Sequence, residues 1–128
     1  MKALLMTIVV TLLTALLSTV CLAQDPVQVS PDHYSVLLEN EMVRVLEMKM
    51  KPGEQVNMHS HPSLTAYVVK GGKIALTYPD APPTERELAD GAALWHGGEA
   101  HTLKNIGDTD FHLIIIENLS SANSSTKP

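Results

Sequence analysis

The chain has 128 residues, one domain's worth, with 14 acidic against 9 basic side chains and a formal charge of −5, a balance that argues against nucleic acid or anionic lipid as a partner. A single cysteine excludes a disulfide framework, so the fold must stand on its apolar core or on a bound metal.

Residues 1–23 read as a secretory signal peptide. Lys2 gives a basic start, residues 3–20 form an uncharged apolar run, and Cys21 and Ala23 satisfy the small-x-small pattern for cleavage after Ala23. An uncleaved anchor is the alternative, because the run is near the lower limit for spanning a bilayer. Cleavage removes Lys2 and Cys21, leaving eight basic against 14 acidic residues, a charge of −6, and no cysteine. The expected product is secreted or periplasmic and free of the membrane. All six histidines (His33, His59, His61, His96, His101 and His112) lie beyond the cleavage point.

Residues 24–117 read as one domain of short strands cut by turn residues. "YSVLLEN" and "MVRVLEMKM" flank Asn40-Glu41, and "KPGE" ends the second. "TAYVV" and "KIALTY" flank Gly71-Gly72, a hairpin signal. "TEREL", "AALWH", "HTLKNI" and "FHLIIIE" follow, separated by Asp90-Gly91, Gly97-Gly98 and "GDTD". No apolar stripe at helical spacing lasts three turns, so the predicted class is all-β, a sandwich or barrel. Tyr67, Val69, Ile74, Leu76, Tyr78, Leu94, Trp95, Leu103, Phe111 and Ile115 are expected to build the core or line a pocket. Met42, Met48, Met50 and Met58 read as core filling rather than soft-metal ligands. Residues 118–128 read as a disordered polar tail with sequons at Asn118 and Asn123. Edge strands and an apolar face leave room for a homodimer.

His59 and His61 are one residue apart on a strand, so both imidazoles point to one face and can share an ion. Pro62 follows, marking a loop or edge, and His101 opens a later strand behind two glycines. Ser60 and Ser63 lie near these histidines, but a serine one residue from a histidine on a strand faces away from it, which argues against a nucleophilic triad.

The spacing resembles the two motifs of the cupin family. Gly53, His59, His61 and Gly72 match the first in register; Gly91, Gly98, His101 and Asn105 match the second with one residue fewer after its first glycine. The resemblance covers nearly all of the chain beyond residue 23 and implies a small double-stranded β-helix, or jelly-roll barrel. Where the first motif has a glutamate ligand this chain has Thr65, or Ala66 in the longer spacing, and the proline of the second motif is His96. What carries over as metal ligands is therefore His59, His61 and His101, with His96 or Glu99 as a fourth ligand or a residue behind the ligands. The implied cofactor is a divalent transition metal: Fe, Mn, Ni or Zn.

Three readings follow for function. The first is a three-histidine dioxygenase acting on a small anionic or enolisable molecule. The second is a non-catalytic barrel that binds a small ligand or metal. The third is an accessory protein using its surface. A barrel that keeps the three histidines only as hydrogen-bonded pocket residues remains the alternative to metal binding.

Overall fold

The computed structural model describes residues 24–120; the expected signal peptide, the Asn123 sequon and most of the expected polar tail lie outside them. A short helix, α1 (Pro26–Val29), is followed by nine strands: β1 (Tyr34–Glu39), β2 (Val43–Met50), β3 (Gln55–His59), β4 (Leu64–Lys70), β5 (Gly72–Thr77), β6 (Thr84–Leu88), β7 (Ala93–His96), β8 (His101–Asn105) and β9 (Phe111–Asn118). They form two antiparallel sheets, one ordered β1-β2-β9-β4-β7 and the other β3-β8-β5-β6. The expected all-β class and double-stranded β-helix are both present. Strand β9 runs one residue past the domain boundary expected at Glu117.

Only β1–β2 and β5–β6 are hairpins between consecutive strands; at its other turns the chain crosses from one sheet to the other. This corrects the hairpin expected at Gly71-Gly72, since β4 and β5 lie in different sheets. The glycine there answers a steric need instead. A Cβ on Gly71 would stand 1.9 Å from the Leu88 carbonyl oxygen.

Side chains alternate across each strand, and the inward set fills the space between the sheets. Leu46, Met48 and Met50 on β2, Leu64, Ala66 and Val68 on β4, and Phe111, Leu113 and Ile115 on β9 are all buried. Tyr67 and Val69 belong to the opposite phase of β4. They are 48% and 42% exposed on the outer face, which corrects their expected place in the core. Met42, in the turn before β2, is also exposed, whereas Met48 and Met50 fill the core.

Asn105 is fully buried and structural: its Nδ2 donates to the carbonyls of Met50 (3.2 Å) and Thr109 (2.8 Å), and its Oδ1 accepts from the Gly107 amide (3.0 Å). No helix among the described residues is long and apolar enough to cross a membrane.

Candidate metal centre

Strands β3 and β8 pair so that His59 stands opposite His101, and His61 follows two residues beyond His59. All three are buried, and one ring nitrogen from each lies within 4.8 Å of the others. The two histidine motifs, 40 residues apart in sequence, thus meet in one buried cluster.

In each ring Nδ1 is already engaged. His59 Nδ1 donates to the Asn57 carbonyl (2.6 Å), His101 Nδ1 to the Glu99 carbonyl (2.9 Å) and His61 Nδ1 to Glu117 Oε1 (2.5 Å). These oxygens only accept, so the proton sits on Nδ1 and Nε2 keeps its lone pair. Three Nε2 lone pairs, each oriented from behind, suit a shared metal ion. An ion at about 2.1 Å holds its nitrogens no more than about 4.2 Å apart, so loading needs only small side-chain adjustments.

Burial also keeps the rings of His59 and His101 neutral. Loss of solvent lowers the pKa of His59 to about 4 and of His101 to about 3, so both present lone pairs at neutral pH.

The local backbone explains the placement. The β3–β8 register shifts between Val56 and His59, and Asn57 in that irregular stretch is pinned from outside. Its amide donates to Ser30 Oγ (2.8 Å) and its Nδ2 to the Val29 carbonyl (2.5 Å). The segment around α1 therefore fixes the carbonyl that orients His59. On the other motif, Gly98 has φ +101°, and a Cβ there would lie 2.3 Å from the His61 carbonyl oxygen. Glycine lets the loop before His101 rest directly on the His61 backbone.

Behind His61 runs a chain of charges that sequence reasoning missed. Glu117 is fully buried and its Oε2 accepts from Arg44 Nε at 2.5 Å, while Arg44 Nη1 reaches Asp25 Oδ2 at 2.6 Å. Asp25 also caps α1 by accepting from the Val27 amide (2.9 Å). Burial opposes charge on Glu117, but hydrogen bonds from His61 and Arg44 hold its carboxyl below the usual range. Burial likewise opposes the Arg44 cation, and its two carboxylate partners outweigh that and raise its pKa above the ordinary value. Tyr34 Oη donates to His59 Nε2 at 3.2 Å, a hydrogen bond that an ion on that nitrogen would displace. The pKa of Tyr34 is pushed well above the ordinary value by burial and then by the Glu117 charge, so it stays a neutral phenol.

The missing motif carboxylate is thus replaced only in part. Thr65 faces outward and Ala66 inward, and neither supplies a donor to the centre. Glu117 brings a carboxylate from β9, but it stands behind His61. Its sequence signal was the period of "FHLIIIE": Phe111, Leu113 and Ile115 point inward, and Glu117 is next in that series.

His96 lies outside the cluster of ligand nitrogens. It stacks on Tyr78 (ring centroids 6.2 Å, 5° between planes), its Nε2 is 3.3 Å from Tyr78 Oη, and its Nδ1 accepts from the Gly98 amide. Glu99 orients His101 through its backbone carbonyl, and its exposed carboxylate lies 3.6 Å from His96 Nε2. His33 and His112 lie away from the cluster, beside Glu54 and Glu47.

A cavity of about 220 Å³ adjoins the histidines. Leu64, Leu76, Leu94, Leu103 and Ile115 give it mostly aliphatic walls, and His61, His101 and Tyr34 are part of its lining.

No family model matches the sequence, and no curated protein matches it. Solved structures do. A cupin domain protein from Bordetella pertussis is 26% identical, with a TM-score of 0.62 over 66% of this chain and 90% of that one. An RmlC-like cupin with a double-stranded β-helix fold from Methanocaldococcus jannaschii is 18% identical, TM-score 0.57, over 73% and 86%. A predicted oxalate decarboxylase from Thermotoga maritima is 22% identical, TM-score 0.51, over 67% and 78%. The last two likenesses bear on fold alone.

Proposed function

Starting from a chain that is a cupin by fold, we propose that it is an exported metal-binding barrel, holding one divalent transition metal on Nε2 of His59, His61 and His101 and acting as a dioxygenase on a small anionic or enolisable molecule. The observation that carries the reading is the triple engagement of Nδ1, which leaves Nε2 of each ring as the ligand atom in one buried cluster beside an apolar cavity. A bound ion would supply a Lewis-acid centre with open positions for oxygen or an oxyanion.

The chain's own residues account for the remainder. Three neutral imidazoles leave the ion its full charge, and the Glu117 carboxylate is balanced by Arg44, so the centre favours an anionic ligand. Tyr34, neutral and buried, donates to His59 Nε2 here, and an ion on that nitrogen would free the hydroxyl to donate to an oxygen held beside it. The aliphatic walls exclude water from the ligand's body.

A second reading, a binder without catalysis, is favoured by one specific feature. Glu117 is locked between His61 and Arg44, so the described cavity offers no free carboxylate as general base. Oxygen uptake by the iron-loaded protein with a panel of diketones, thiols and flavonols separates the two. Uptake in wild type that is lost in His101→Ala supports the dioxygenase; metal loading without uptake on any substrate leaves the binder.

A further inference from the structure

Arg86 is a charged residue at the cavity that the metal centre does not use. In the β5–β6 ladder it stands opposite Ile74, which is 4% exposed and faces the interior. Directly paired residues share a face of the sheet, so Arg86 is on the inward face of β6 while Glu85 and Glu87 are on the outward face. Strand β6 is an edge, and so is β7 of the other sheet. The cavity reaches both edges, with Arg86 from one and Leu94, Trp95 and His96 from the other.

Arg86 forms no ion pair or hydrogen bond to another described side chain, unlike Arg44 with its two carboxylates. It also borders a shallow outer groove with Lys73, Glu85 and Glu87, which places it at the lip of the cavity. No carboxylate lines the cavity, and His96 is held toward its neutral form chiefly by burial. The cavity lining therefore carries one permanent cation, exposed at its rim and without an ion-pair partner among the described residues, over mostly aliphatic walls. A guanidinium presents a planar fork that matches a carboxylate, and the walls match an alkyl or aryl body.

We propose that Arg86 selects the ligand of this cavity, and that the ligand class is a small organic acid with an apolar body whose carboxylate is gripped by Arg86. The proposal deepens the reading of the cavity as a small-molecule site, and Arg86 acts there whether or not the histidines hold an ion.

The test is calorimetric titration of the full chain, with and without a chelator, using straight-chain carboxylates from butanoate to octanoate and the matching alcohols. In wild type the best carboxylate should bind about tenfold or more tightly than its alcohol, the ratio expected of a charge-assisted pair. Arg86→Met should bring that ratio to within about twofold without weakening the alcohol, and Arg86→Lys should restore part of it. A wild type that does not prefer the carboxylate, a preference that survives in Arg86→Met, or no binding of any carboxylate overturns the proposal. Because the chelated arm contains no metal, failure of Arg86 leaves the metal centre standing. Failure of the metal centre shows instead as no transition metal retained by the unchelated protein in elemental analysis.

Discussion

Glu117 is the residue on which His61 depends, because it is the only acceptor found for that ring's Nδ1 and is itself buried beside Arg44. Substituting Glu117→Gln keeps the shape but removes the charge that polarises the imidazole and balances Arg44. The expected outcome is a 10- to 100-fold loss of metal affinity in competition titrations; unchanged affinity would show that His61 needs no carboxylate behind it. Acid should act on the other two histidines. Their folded pKa values, about 4 for His59 and about 3 for His101, lie below the ordinary 6.5, so between these limits the unfolded chain binds protons that the folded chain refuses. Stability from this source is complete above pH 6.5 and is lost as pH falls toward 4, by about 1.4 kcal/mol per pH unit for each histidine. Thermal melting of the chelated protein checks this, and a melting point flat from pH 7 to 4.5 would contradict it. At this scale the sequence was legible where spacing carries the signal: His59, His61 and His101 converge as expected. It was not legible for Glu117, Arg44, Asp25 and Tyr34, which meet only through pairing of distant strands.

Pairing is decided at the scale of elements, and there the alternation rule worked when its phase was anchored. The His-x-His pair anchored β3, and the expected Ile74, Leu103, Phe111 and Ile115 are in the core. Nothing local anchors the phase of β4, so strand propensity alone does not tell that Tyr67 and Val69 face outward. Crossovers were equally hidden, since Gly71-Gly72 serves a change of sheet as well as it would a hairpin. The contact between the two motif loops supplies a test. Gly98→Ala places a methyl against the His61 carbonyl at a positive φ, and should cost about 2 kcal/mol or more in urea unfolding while weakening metal binding. A change below about 0.5 kcal/mol would mean that this close approach is dispensable.

Across the whole molecule, the inner faces of the sheets account for the core and the cavity, and the outer face of the five-stranded sheet carries a row of exposed apolar residues. One row of paired positions runs Leu38, Val45, Ile116, Thr65, Trp95, with Leu38 50%, Ile116 38% and Trp95 75% exposed. The homodimer expected from the sequence would use this face. Sedimentation should show a dimer that Tyr67→Lys converts to monomer; a monomeric wild type at micromolar concentration removes the expectation. The central claim, however, is the ion shared by His59, His61 and His101. Elemental analysis after reconstitution and desalting, run on wild type beside His59→Ala and His101→Ala, tests it most directly. The account predicts one divalent transition metal per wild-type chain and nearly none in either variant; equal metal content in all three would contradict it.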